Sequence, residues 1–284
     1  MPRITAHQAQ QGFLTIAQNS TVDYLRLAYL QALSIKTVMP TSQYAVIVDK
    51  ATGSGVNEQY RKVFDYVIEL PEDHAEEDNW KLANEWQVFD LTPFKETIKL
   101  ESDLLFTRSI EHWWNTFRLR DVVLSLGCRD YQQQPSRSRA YRKLFDDNQL
   151  PDVYNGLMYF RYSQTAADFF NLAQNIYKDW PTIAKSLRNC TDDKPSTDVV
   201  YAIASRILGV EQTTLPGADF INFTHMKNNI SGWSDSGPWN ELVVSELDLP
   251  MIRINNINQY HPLHYYDKQW PTDEMIRRYE HGLF

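Results

Sequence analysis

Short apolar runs alternate with amphipathic stretches through the first half of the chain. Phe13–Gln18 (FLTIAQ) predicts a first strand. Asn19-Ser20-Thr21 supplies helix-capping side chains, and Val22, Leu25, Tyr29, Ala32 and Leu33 recur at helical spacing to about Lys36. Tyr44–Asp49 (YAVIVD) predicts a second strand running into Thr52-Gly53-Ser54-Gly55. A helix over 57–64 leads to a third strand over 66–70, and Thr97–Leu100 predicts a further buried one. Strands apolar along their whole length are buried on both faces. The β-α-β-α-β order therefore predicts a doubly wound α/β fold with a mostly parallel central sheet.

The second half is less regular. A short helix over 109–116 carries Trp113 and Trp114, and Asp121–Gly127 (DVVLSLG) and Tyr154–Phe160 (YNGLMYF) predict strands. Ser163 caps a helix with Ala166, Phe169, Phe170 and Ala173 on one face. Pro195-Ser196-Thr197-Asp198 opens a second amphipathic helix that closes at Gly209. Ala218–Thr224 predicts a short strand delivering His225, and a last helix is expected over 272–279. Neither an internal repeat nor a low-complexity linker interrupts the chain, which predicts one domain over 1–284 with a C-terminal wrap.

Composition narrows the function classes. A net charge of −8 argues against general coating of nucleic acid, although a local basic patch stays compatible with it. Arg129–Lys143 (RDYQQQPSRSRAYRK) is such a patch, with five cations against one acid, and it reads either as a solvated loop or as an anion-binding one. The acidic stretch over 71–78 reads as a solvated loop. No apolar run approaches membrane-span length, and the start MPRITAHQAQQGF has no signal-peptide core. Cys128 and Cys190 have no metal or redox spacing and fit a reducing cytoplasm.

The densest candidate chemistry is Glu101-Ser102-Asp103, wedged between the predicted strand and the apolar Leu104-Leu105-Phe106. In an extended chain the two carboxylates point to one side and Ser102 to the other. Ligands of doubly wound sheets gather at the carboxyl ends of strands, which brings Gln18, Asn19, Asp49, Glu101 and Asp103 to one crevice. Two acids there suit a hard divalent ion bridging to phosphate, and taken alone they equally suit a solvated strand end. Gly53-Ser54-Gly55 is not a phosphate-binding fingerprint, and neither Gly-x-Gly-x-x-Gly nor a P-loop occurs. Any nucleotide is therefore held in another way than in dehydrogenases or kinases.

Five segments, taken in order, carry a resemblance. They are FLTIAQN at 13–19 with Tyr24, LTPFKETIKLESDLLF at 91–106, YNGLMYF at 154–160, STDVVYAIA at 196–204, and His225 followed eight residues later by Trp233. Together they resemble GT-A-fold nucleotide-sugar glycosyltransferases of the glycogenin and bacterial lipopolysaccharide galactosyltransferase kind. The resemblance implies a UDP-sugar donor and Mn2+ or Mg2+ held by Glu101, Asp103 and His225, with His261 and His264 as competing histidines. It implies a nucleotide-binding half over 13–128, an acceptor and catalytic half over 129–245, and a C-terminal extension over 246–284. Donor contacts would come from Ala17, Gln18, Asn19, Tyr24, Lys99, Ser102, Lys227 and Trp233. Asp198 and Asn155 would be the catalytic pair at the donor sugar, in a retaining transfer where the leaving phosphate helps deprotonate the acceptor.

The chain departs from the family pattern at four points. Glu101 replaces the first Asp of the metal motif, so it would reach the ion through water or contact the ribose. The lysine ahead of that motif falls at Glu96, with Lys95 and Lys99 close by. Of the Asp-Gln-Asp site only Asp198 is clearly kept, and Ser231-Gly232 stands where Lys-Pro is expected, leaving Lys227 as the substitute. PFKETIKLESD and the tail INNINQYHPLHYYDKQWPTDE also resemble glycosyltransferases of large tailed phages. That narrower resemblance implies transfer of arabinose or glucose to 5-hydroxymethylcytosine in duplex DNA. Arg129, Arg137, Arg139, Arg142 and Lys143 would contact phosphates, and Tyr131 or Tyr141 would stack on an extruded base. Lipopolysaccharide, protein or a small molecule is the rival acceptor class, and a non-catalytic nucleotide-sugar-binding protein the rival function.

Overall fold

The computed structural model describes residues 7–76, 78, 80–136, 142–215, 217–218, 220–233 and 237–284. Among these, six strands build the central sheet: β1 (Ala9–Ala17), β2 (Tyr44–Val48), β3 (Tyr66–Glu69), β4 (Phe94–Leu100), β6 (Val122–Leu126) and β7 (Val153–Arg161). A separate short strand, β5 (Leu104–Leu105), follows the Glu101–Asp103 segment. The order across the sheet is β3-β2-β1-β4-β7-β6, parallel from β3 to β4, with β7 antiparallel to both its neighbours. The mostly parallel sheet expected from the apolar runs is present.

Alternation along the strands divides the core. Phe13, Tyr44, Val46, Val48, Ile98 and Leu100 pack in one cluster with the helix Tyr24–Val38. Leu14, Ala45, Ile47 and Met158 pack in the other, under the helices Gln164–Lys178 and Thr197–Leu208. Helices on both faces satisfy strands that have no polar side. Gly12 lets β1 pass the Phe94 ring, because a Cβ there would lie 2.3 Å from a ring carbon. Gly12→Ala should therefore overpack the sheet and lower stability by about 1–3 kcal/mol, read as a shift of the urea midpoint; an unchanged midpoint would show that Phe94 can move aside.

The second half departs from expectation locally. The short strand expected over 218–224 is β8 (Thr224–His225) alone, because the preceding residues turn and hydrogen-bond locally, as Ile221 N–H does to Ala218 O at 2.9 Å. The helix expected over 57–64 is a single turn, Glu58–Arg61, and the Trp-bearing one is Trp113–Phe117. The helix Tyr24–Val38 has Asp23 at its N-cap, accepting from Arg26 N–H at 3.0 Å, and Asn19 of the expected capping run adds a bond from Leu25 N–H at 2.9 Å.

The C-terminal stretch packs into the core cluster that holds the first helix, through Ile252, Ile254, Tyr265 and Trp270. β9 (Ser245–Asp248), β10 (Met251–Ile254) and β11 (Ile257–Asn258) form an antiparallel meander. Its tight turn is Asn255-Asn256, both at positive φ (44° and 64°), a conformation asparagine tolerates well. β12 (Leu263–His264) then inserts between β5 and β8, setting His264 opposite Leu104 on one side and His225 on the other. The last helix, Asp273–Leu283, docks on the first, where Tyr29 Oη donates to Glu280 at 2.8 Å and Arg26 pairs with Asp273 at 2.8 Å.

Candidate active site

A cleft of about 490 Å3 opens at the carboxyl ends of β1 and β4, over the start of β7 and the N-terminus of the helix Thr197–Leu208. Its centre is the segment after β4. Residues 101–103 leave the strand in a turn, so the extended-chain alternation does not apply, and Ser102 lines the cleft together with both acids. Gln31, fully buried in the first helix, fixes this turn: its Nε2 donates to Glu101 O at 2.5 Å and to Leu104 O at 3.2 Å. Tyr44 Oη in turn donates to Gln31 Oε1 at 2.8 Å.

His264, delivered by β12, stands between the acids, its Nε2 2.7 Å from Asp103 Oδ2 and 3.3 Å from Glu101 Oε2. Ligand atoms of Glu101, Asp103 and His264 all lie within 4.8 Å of one another. The His225 ring stacks in parallel on that of His264, with centroids 4.2 Å apart, and its buried Nδ1 has no hydrogen-bond partner among the described residues. Burial, helped by the adjacent His264, holds His225 well below its ordinary pKa, which keeps it neutral. Lys268 closes the centre with its ammonium on Asp103 Oδ2. Burial alone would raise the Asp103 pKa, but His264 and Lys268 outweigh it and hold the carboxyl far below the usual range. Glu101 is shifted the other way, chiefly by the packing around it, with His264 opposing. The histidine that the structure brings between the carboxylates is thus His264, with His225 against its face. His261 lies elsewhere, its Nδ1 2.9 Å from Gln133 Oε1, its pKa lowered to about 4 by burial and by Arg129 and Arg108.

On the far wall Asp198 sits in the first turn of its helix, behind the Ser196 cap. Its Oδ1 accepts from Asn155 N–H at 2.7 Å and its Oδ2 from Arg142 Nη1 at 2.9 Å. Arg142 is not at the surface as expected. It is 2 % exposed, its guanidinium lying 3.6 Å from the Phe145 centroid and 4.0 Å from that of Tyr154, with Nε donating to Asp152 at 2.9 Å. Its charge is consumed by two carboxylates, so it does not face an acceptor. Asn155 Nδ2 reaches Glu101 Oε1 at 3.5 Å, while its Oδ1 is buried in the cleft wall without a partner among the described residues.

On the near wall Tyr24 and Gln18 line the cleft. Both ends of the Gln18 amide are engaged, by Asp49 Oδ2 at 3.2 Å and by Asn84 Nδ2 at 2.9 Å. Ala17 is fully buried at the end of β1. Asn19 does not line the cleft; its side chain accepts from Leu25 N–H at 2.9 Å and donates to Asp23 at 3.0 Å, tying the loop to the helix start. Lys99 is also displaced from the expected role: it is fully buried, its ammonium 2.5 Å from Glu85 Oε2. Glu85, from the 3-10 segment Lys81–Gln87, is the partner that lines the cleft. Lys227 lines it as well, with its ammonium 5.7 Å above the Tyr266 ring. Trp233 does not line it and stacks on Tyr131 at 5.2 Å, so each ring satisfies the other. Lys143 is exposed and Arg129 half-buried, while Arg137, Arg139 and Tyr141 lie outside the described residues.

Sequence reasoning did not single out Glu85 or Lys268. Both lie far along the chain from the acidic motif, and neither sits in a periodic segment, so no local pattern marks them. Among the described residues, no helix is long and apolar enough to cross a membrane.

No protein-family model matches the chain, and no curated protein matches it. Solved structures do. The galactosyltransferase LgtC, solved with donor and acceptor sugar analogs, superposes with a TM-score of 0.55 at 12% identity, covering 96% of this chain and 95% of that one. The apo glycosyltransferase GlyE of Streptococcus pneumoniae TIGR4 gives 0.50 at 10% identity, over 97% of this chain and 60% of that one. The overlap along nearly the whole of both chains identifies the architecture: the chain has the fold of the GT-A glycosyltransferases.

Proposed function

We propose that the protein is a metal-assisted glycosyltransferase that moves a sugar from a UDP-sugar to an acceptor hydroxyl. The observation that carries this reading is the convergence of Glu101, Asp103 and His264 at the carboxyl end of β4, inside the cleft described above and within a GT-A fold. Two carboxylates with a neighbouring imidazole fit Mn2+ or Mg2+, the nitrogen ligand favouring Mn2+. The orphaned Nδ1 of neutral His225 beside them supports the fit. Bound there, the ion would neutralise charge developing on the leaving diphosphate.

The chain's own residues divide the remaining work. Tyr24 and Gln18 flank the space for base and ribose, and Ser102 and Lys227 that for the phosphates. Asp198, braced by Arg142, fixes the Asn155 backbone, so that the unpartnered Asn155 Oδ1 is offered to a sugar hydroxyl. A buried acceptor without a partner is costly unless a ligand supplies one. The reaction is read as retaining on resemblance.

Isothermal titration with UDP tests the donor site. Binding should require Mn2+ and vanish in Asp103→Asn; metal-independent binding that survives the substitution would move the nucleotide away from this centre. For the acceptor we take 5-hydroxymethylcytosine in duplex DNA, with arabinose or glucose as the sugar. This rests on the resemblance of PFKETIKLESD and the C-terminal tail, and on the basic run that holds half-buried Arg129 and exposed Lys143. Contacts to phosphate make affinity fall steeply with salt. DNA association that ignores salt, or transfer to a small acceptor but not to hydroxymethylated duplex, would overturn the DNA acceptor and favour a small-molecule, protein or lipopolysaccharide one.

A further inference from the structure

Lys268 has no part in the reading given above, yet it is the cation nearest the acidic centre. It arrives from the turn after β12. Tyr266 adopts φ 62°, the left-handed region, and Asp267 N–H donates to Tyr265 O at 2.6 Å, so the chain turns tightly just ahead of Lys268. The ammonium donates to Asp103 Oδ2, the oxygen that also faces His264 Nε2, and the side chain is only 23% exposed.

A full positive charge therefore already rests on the carboxylate oxygen that a divalent ion would use. An ammonium and a divalent ion on one oxygen repel strongly in a half-buried cleft, because few solvent dipoles screen them. They must bind in turn. Lys268 also shares a surface with a second cation: its ammonium lies 5.4 Å from the centroid of the Tyr266 ring, and that of Lys227 lies 5.7 Å from it. Both ammonium groups lie at the wall of the cleft, where a doubly charged anion could be met by two cations at once.

We propose that Lys268 is the resident counter-cation of the Glu101–Asp103–His264 centre, displaced from Asp103 by a divalent ion and then paired, with Lys227, to the diphosphate of the donor. The pairing half rests on the UDP-sugar reading; the displacement half stands without it. Because the anion gives the displaced ammonium a new partner, metal and nucleoside diphosphate should each strengthen binding of the other, by the same factor.

Free Mn2+, followed by its electron paramagnetic resonance signal without nucleotide, tests the displacement. Lys268→Met should bind Mn2+ at least about tenfold more tightly than the unsubstituted chain, since the competing charge is gone. Lys268→Arg, which keeps the charge, should stay weak, and adding Asp103→Asn to Lys268→Met should abolish the gain. Equal Mn2+ affinity in Lys268→Met and the unsubstituted chain overturns the proposal, as does a gain that survives Asp103→Asn. Should the methionine variant not fold, Mg2+ added to the unsubstituted chain should still shift one lysine Cε resonance, and no shift overturns it. UDP separates the two readings. Mn2+-dependent UDP binding with no effect of Lys268→Met on Mn2+ leaves the donor site and removes the displacement. A gain in Mn2+ affinity with no UDP binding keeps the displacement and removes the donor.

Discussion

Asp103→Asn should lower metal-dependent hydrolysis of a UDP-sugar by about 10²–10³-fold, the scale on which a group placed against developing charge acts. The side chain is 4% exposed and faces both His264 Nε2 and Lys268 Nζ through one oxygen, so it is the negative pole of the cleft. Asparagine keeps its shape and removes its charge. Two consequences should appear together: the divalent ion is lost, and two basic groups are left without their counter-charge. Release of UDP over time measures the first, and far-UV circular dichroism confirms that the fold persists. A drop smaller than tenfold would remove Asp103 from the reaction. Glu101→Gln should be milder, since Glu101 is 32% exposed and meets His264 at the longer distance of 3.3 Å.

Arg142→Leu is expected to give the largest loss of stability, about 3 kcal/mol, at the lower end of the range for breaking a buried ion pair. The lower end applies because the partners Asp152 and Asp198 retain 29% and 27% exposure, so water recovers part of their solvation. The guanidinium also donates through Nη2 to Val153 O and is clasped by Phe145 and Tyr154, contacts that leucine replaces only as hydrocarbon. Lysine should not rescue it, because a point charge cannot serve three acceptors in one plane. The loss should extend to function: Asp198 released from Arg142 no longer fixes Asn155, and kcat should fall along with the urea midpoint. A midpoint shift worth less than about 1 kcal/mol would mean that the pairs contribute as little as surface ones do.

The central sheet was legible because its signal is local. YAVIV is buried at every position, and FLTIA and TIKL sit in strands where their apolar runs placed them. Burial on both faces leaves no other reading of such runs. The first strand begins earlier, at Ala9, because edge positions Gln10 and Gln11 carry no apolar signal. The candidate site was legible only in outline. Glu101 and Asp103 stood out as acids flanked by hydrophobic residues, yet the geometry that gathers them is a turn pinned by Gln31, some 70 positions away in sequence. His264 was one histidine among several, because its place depends on β12 pairing with both β5 and β8. Arg142 looked like an exposed member of a basic run; the phenylalanine, tyrosine and aspartates that bury it lie after that run. Pairing across the chain decides such roles, and composition within a window cannot carry it.

The insertion of β12 between β5 and β8 has a consequence for how the protein comes to life on the ribosome. The parallel core, from β1 to β4 with its covering helices, can collapse while the tail is still being made, since its contacts lie within the portion already synthesised. His264 and Lys268 emerge last, 161 and 165 positions after Asp103, and close the longest loops of the candidate site. Until they dock, Asp103 has neither of these partners. A nascent chain therefore carries a formed sheet with an unfinished cleft, and competence to bind metal and nucleotide should switch on abruptly with the final strand.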